Sequence, residues 1–175
     1  MRPVVFLLGG LMLPLAVLAA ALVSASGSAQ SAPEPWRLFQ GSWSAVGSRH
    51  TLPTEGGRTA AVVQLSGAVV LTDPAGAGAG FHGEAIGFDD GGSLSAGRAV
   101  WTDARGDRVF SALRGDSLQT GRRIVGQITG GTGRYAGATG DYTLTWQYVV
   151  AAEDGVVQGR TVDLRGRIRS SEKQP

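Results

Sequence analysis

The run Asp141-Tyr142-Thr143-Leu144-Thr145-Trp146-Gln147-Tyr148 decides the fold class. Tyr142, Leu144, Trp146 and Tyr148 fall on one parity; Asp141, Thr143, Thr145 and Gln147 fall on the other. Strict alternation of period two marks a strand with one face on a core and one face in water. The last periodic segment behaves alike, with Val162, Leu164 and Ile168 opposing Thr161, Asp163, Arg165, Arg167 and Arg169. Working back toward the N-terminus, strands are predicted around Phe39–Val46, Ala60–Leu71, Gly80–Phe88, Leu94–Thr102, Arg108–Leu113 and Arg122–Thr129. Turn chemistry separates them. Asp89-Asp90-Gly91-Gly92, Asp103-Ala104-Arg105-Gly106-Asp107 and Ala152-Glu153-Asp154-Gly155 are short reversals built from residues that tolerate positive φ. No stretch between residues 36 and 169 reads as a long helix, because Gly recurs and the apolar positions alternate. The expectation is an all-β fold of about eight strands with short links. A small closed antiparallel barrel is favoured over a sandwich, because closure removes the reactive edges of an open sheet.

The ends of the chain read differently. Met1-Arg2-Pro3 precedes an apolar run from Val4 to Val23, and small residues follow from Ser24 to Ala29. These are the parts of a secretory signal peptide, predicted over residues 1–29 with its signal helix. The rival reading is an uncleaved membrane anchor, since about 20 apolar residues suffice to span a bilayer. Gly9, Gly10 and Pro14 interrupt the run, and the small-residue exit favours cleavage. Residues 30–35 form a short polar lead, 36–169 the barrel domain and 170–175 a polar tail. A periplasmic or secreted location follows from the signal reading. There are no cysteines, so a core and a closed sheet must hold the fold without disulfides.

Charge says little, and is weak evidence for a nucleic-acid partner. With Arg2 removed, 15 basic residues face 14 acidic ones, a mature net charge of about +1. Nucleic-acid binding usually needs a clustered basic face. The densest cluster is Arg160, Arg165, Arg167 and Arg169, with Asp163 among them, and it reads as a solvated strand face. No nucleic-acid partner is expected.

The most distinctive segment is Ile128-Thr129-Gly130-Gly131-Thr132-Gly133-Arg134-Tyr135-Ala136-Gly137-Ala138-Thr139-Gly140. A dinucleotide loop needs a helix after its glycines, and a Walker loop needs its Lys. An alternating strand follows here and the Lys is missing, so both nucleotide readings fail and no cofactor is expected. The segment reads as a structural turn in which Tyr135 and Ala136 pack down. Strand, then Gly-Gly-Thr-Gly-x-Tyr/Phe-x-x-Ala-x-Gly, then strand resembles the barrel of allene oxide cyclases and dirigent proteins, and most closely the bacterial domains called allene oxide cyclase barrel-like. The specific part of the resemblance covers Ile124 to Tyr148, and strand count and length agree over Trp36 to Arg169. The resemblance implies an eight-stranded barrel, a trimeric homo-oligomer and a lumen for an apolar small molecule. It carries over no catalytic residue, because the polar lumen residues of the plant cyclases find no match here. Gly41-Ser42-Trp43 is similar to the G-x-W of lipocalins and related calycins, which points to the same architecture.

Few residues can carry chemistry. His50 and His82 are the two histidines, so a His₃ metal site is impossible, and no Cys can complete a structural one. No metal is expected. In Phe81–Phe88, period two places His82, Glu84, Ile86 and Phe88 on one face and Phe81, Gly83, Ala85 and Gly87 on the other. If the first face is inward, His82 and Glu84 become a general acid–base pair in an apolar lumen. Alternation leaves the parity open. Gln158 and Arg160 share parity with Val162 and Leu164, so a regular strand would aim them at one barrel mouth, where Arg160 suits a ligand carboxylate. The other reading is that the strand bends before Val162 and both are solvated. Trp36, Trp43, Trp101 and Trp146 read as core and barrel-end packing. Three functions remain in play: a binding module for a small apolar ligand or a protein partner, a cofactor-free cyclase or isomerase using Glu84 and His82, and a structural barrel with a solid core.

Overall fold

A computed structural model describes residues 35–73, 76, 78–92, 95–115, 123–151 and 155–170. The predicted signal peptide over residues 1–29, the tail beyond residue 170 and nearly all of the predicted polar lead lie outside the described residues. So do residues 152–154 of the predicted Ala152-Glu153-Asp154-Gly155 reversal.

Eight strands run in chain order: β1 (Arg37–Pro53), β2 (Thr59–Thr72), β3 (Gly78–Asp89), β4 (Ser95–Asp103), β5 (Arg108–Gly115), β6 (Arg123–Gly131), β7 (Thr139–Ala151) and β8 (Gly155–Arg169). Each pairs antiparallel with its sequence neighbour, and β8 returns to pair with β1, closing an up-and-down barrel. The fold class predicted from alternation is the one observed. Each predicted strand between residues 39 and 148 is present within a few residues of its expected bounds. β1 extends well past Val46 because Gly47–Pro53 keeps its pairing with β2.

Inward positions are the core. Tyr142, Leu144 and Trp146 of β7 are buried, as the deciding run requires, together with Trp43, Val69, Trp101, Val109, Val157 and Leu164. The rings form two groups. Toward the end where β1 begins, Trp101 sits 4.8 Å from Tyr142 and 6.2 Å from both Phe39 and Phe81 (ring centroids). Toward the other end, Trp43 and Trp146 stack tilted at 5.4 Å, and Tyr148 meets Trp146 edge-on at 5.9 Å. Offset and edge-on pairs of this kind add about 0.5–1.5 kcal/mol beyond their buried area.

Three bulges break the register: one extra residue in β8 near Asp163, one in β7 near Val149 and one in β6 near Thr129. The first decides which side chains enter the lumen. Asp163 adopts φ 54°, a left-handed conformation that Asp accepts more readily than most residues. On its N-terminal side Val157, Gly159 and Thr161 face inward; on its C-terminal side Leu164 does. Leu164 therefore does not share a parity with Gln158 and Arg160, whereas Val162 stays on their face, and the regular alternation expected through β8 is corrected here. The bulge leaves the Trp43 backbone N–H without a ladder partner, and it donates instead to the buried Thr161 Oγ1 at 2.8 Å.

An eight-stranded barrel is narrow, so large inward rings need small inward neighbours. Gly126 of β6 lies flat under the Tyr142 ring, and Gly159 of β8 lies under Trp146; a Cβ at either site would overlap the ring. Gly126→Ala is expected to lower unfolding free energy by about 1–3 kcal/mol through overpacking. A smaller penalty for the same change in a Tyr142→Leu background, measured by denaturant unfolding, would locate the strain at that contact.

Candidate functional site

Interior first. After the aromatic groups have packed, a space of about 50 Å³ remains within the lumen between Trp43, Leu65, Ala85, Leu144, Trp146 and Tyr148. That admits a few waters. Sites for drug-sized ligands run to about 300–1,000 Å³. The cavity walls are almost wholly apolar. The Trp43 indole N–H is buried there without a hydrogen-bond partner among the described residues. Burial pushes the Tyr148 phenol up from its ordinary range, partly offset by the cation of Arg49.

The inward polar groups are structural in their contacts. Tyr142 is 1% exposed, and burial pushes its phenol up to about 12 despite a hydrogen bond with Ser111. Asp103, at the end of β4, accepts the backbone N–H groups of Arg105 (2.8 Å) and Asp107 (3.0 Å) across its turn. Its second oxygen lies 2.6 Å from the Arg134 guanidinium. Burial alone would raise the Asp103 carboxyl, but the two backbone donors and Arg134 outweigh it and hold it below the usual carboxylate range.

Arg134 belongs to the Gly-rich motif, which now has a physical role. Gly130 and Gly131 end β6, and Gly133–Tyr135 make one 3-10 turn. The Thr132 N–H donates to Arg108 O, and Thr132 Oγ1 accepts the Arg108 N–H at 2.9 Å, so both ends of that residue tie to β5. Gly133 packs directly on the Asp107 carboxylate at φ 52°, where a side chain has neither room nor a relaxed backbone. Gly137 takes φ 66° in the turn, and Gly140 of β7 sits against the Arg167 carbonyl. Tyr135 packs on Phe81 with ring centroids 5.9 Å apart, and the Arg134 guanidinium carbon stands 5.1 Å from the Tyr135 ring centre. The motif is a cap that seals one barrel end.

The other sequence candidates lie outside the lumen. His82 and Glu84 are exposed on the outer face of β3, while Phe81, Gly83 and Ala85 point in. The open parity thus resolves against a lumenal acid–base pair: the narrow interior takes the small side chains. His82 Nε2 is 3.2 Å from Ser66 Oγ on β2, a surface contact with no cavity around it. Gln158 and Arg160 are exposed on β8, because the Asp163 bulge reverses the parity that would have aimed them inward. His50 is exposed on β1. Among the described residues, no group of three or more His, Asp or Glu side chains could hold a metal ion, and no helix is long and apolar enough to cross a membrane.

Sequence reasoning missed a groove of about 670 Å³ on the outer surface across β1, β8 and β7 and reaching the start of β6. Leu38, Gln40, Arg123, Asp141, Arg165 and Arg167 line it. Arg167 Nε donates to Asp141 Oδ2 at 2.8 Å, whereas Arg165 and Asp163 stand 3.8 Å apart with both side chains about 70% exposed. Trp36 lies beside the groove, its ring centre 4.6 Å from the Arg167 guanidinium carbon and 4.5 Å from that of Arg169. The arginine density of β8 was the signal available beforehand. What the sequence did not show was the bulge that turns those side chains outward together. No protein-family model and no curated protein matches the chain.

Two expectations follow. Glu84→Gln and His82→Ala change an exposed face only, so each should shift unfolding free energy by no more than about 0.5 kcal/mol. Asp103 has its carboxyl lowered in the folded state, so the stability it contributes is present above its unfolded value near about 3.9 and is lost as pH falls through that range. Acid unfolding should show this: the stability difference between the parent chain and Asp103→Asn should shrink steadily below about pH 4.

Proposed function

We propose that this chain is an exported, non-catalytic binding barrel whose lumen is a packed framework and whose outer surface meets its partner. The observation that carries the reading is the contrast in volume: about 50 Å³ inside the lumen against about 670 Å³ in a groove on the outer face. A lumenal cyclase or isomerase would need substrate room and inward acid–base groups. His82 and Glu84, the best sequence candidates for that work, are on the outside. A lumenal apolar ligand would need the same room.

Export rests on the basic start, the apolar run Val4–Val23 and the small-residue exit. A tie to the allene oxide cyclase barrel-like domains is supported by eight strands in up-and-down order and by the Gly-rich turn between β6 and β7. Self-association, which that resemblance also implies, is favoured by one outer patch. Val62 and Phe88 sit directly opposite each other on β2 and β3, 49% and 42% exposed, with Ile86 and Leu52 exposed nearby. Contiguous exposed apolar patches mark interaction surfaces.

Native mass spectrometry of the mature protein from its own host tests the reading. The expected spectrum carries no small-molecule adduct and shows the oligomeric mass directly. A stoichiometric organic adduct that survives gentle desolvation and leaves only on unfolding would place a ligand in the lumen and overturn the proposal.

A further inference from the structure

The Asp163 bulge has a chemical product. Without it, either Gln158 and Arg160 or Arg165, Arg167 and Arg169 would have to enter an apolar lumen. With it, all four arginines of β8 point outward, and two of them line the groove together with Arg123. Three guanidinium groups there face one groove carboxylate, Asp141, which Arg167 already engages. Arg165 has only a long, solvated approach to Asp163, and Arg123 makes no ion pair among the described residues. The groove is therefore net cationic with two guanidinium groups available. Stacking of Arg167 and Arg169 against Trp36 restricts part of this cluster in advance, which reduces the ordering cost of binding.

The occupant follows from spacing and openness. Guanidinium groups bind carboxylates bidentately. Arg165 and Arg167 stand two residues apart on one strand face, a separation of about 6.5–7 Å. Side chains at alternate positions of an extended peptide have that same separation. Gln40, Thr72 and Thr143 supply neutral hydrogen-bonding groups along the groove for a peptide backbone, and Leu38 supplies an apolar surface. The groove is open along its length, which suits a chain lying on the surface better than a small molecule that must be mostly buried.

We infer that this groove is the docking site for an extended acidic segment of a partner protein, with Asp or Glu at alternating positions facing Arg165 and the Arg167 of the Arg167–Asp141 pair, and with Arg123, on β6 beyond β7, adding to the positive charge. The inference rests on the outer-surface reading and adds the chemistry of the partner. Binding is charge-driven and weakens as salt shortens the screening length.

The test uses the folded full barrel and a fluorescein-labelled peptide alternating Glu and Thr, read by anisotropy, with the Gln-for-Glu peptide as reference. The Glu peptide is expected to bind about tenfold or more tightly than the Gln peptide, the equivalent of about 1.4 kcal/mol. Arg165→Gln and Arg123→Gln should each weaken it several-fold, while Arg98→Gln, on β4 across the barrel, leaves it unchanged. Should the arginine variants melt early, Thr143→Glu is the second probe; it adds a like charge inside the groove and should abolish binding. Equal affinity for the two peptides, no binding at low salt, or equal loss from Arg98→Gln would overturn the inference. So would tighter binding of a polyuronate oligosaccharide than of the peptide, which would reassign the groove to acidic polysaccharide. These outcomes leave the packed-lumen reading standing, since that reading falls only to a ligand found inside the barrel.

Discussion

The seam between β1 and β8 closes the barrel, and one hydrogen bond repairs the place where it is irregular. An extra residue in β8 interrupts the ladder, and the Trp43 backbone N–H would be left buried and unpaired, at a cost of about 1–3 kcal/mol. Thr161 points inward and accepts it at 2.8 Å. Because this repair exists, the bulge can stay, and because the bulge stays, β8 can present apolar side chains inward on both sides of it. Closure, lumen filling and the position of the arginines all descend from that local arrangement.

Lumen filling then follows from volume. Eight strands enclose little space, and the chain fills it with Trp43, Trp101, Tyr142 and Trp146, the last two set over inward glycines of neighbouring strands. A barrel that placed Leu or Val at those glycine positions would need smaller rings, and one that lost a ring would open a ligand-sized cavity. This chain does neither, so the interior serves stability. One end is sealed in a second way. The Gly-rich turn brings Arg134 onto Asp103, and the carboxylate is held ionised by backbone donors and the guanidinium together. Here a motif that looks like a nucleotide loop in one dimension turns out to be a lid with its own buried counter-charge.

Charge is consequently sorted by face. Inward polar side chains are few; Ser111, Thr161 and Asp103 have partners within the wall or its turns, while the Trp43 and Trp146 indole N–H groups have none among the described residues. The arginines of β8 stand outside, where solvent and Trp36 accommodate them. Surface ion pairs such as Arg167–Asp141 are worth only about 0–1 kcal/mol to the fold, so this surface is free to answer to binding.

The sequence by itself determined the all-β class, the count of about eight strands and the inward face of β7, because period-two alternation and Asp/Gly turns are local signals. It also marked the Gly-rich turn as structural. Only the tertiary structure decided the parity of β3 and of the N-terminal half of β8. In β3 both faces carry residues that fit either side, His82 and Glu84 beside Ile86 and Phe88 on one, Phe81 with small residues on the other, and barrel width made the choice. In β8 a single residue, Asp163, takes a left-handed conformation that no neighbouring pattern announces, and it reverses the face of every side chain before it. A register of period two amplifies one inserted residue into a whole strand face, and the insertion is fixed by pairing with β1 and β7, distant in sequence.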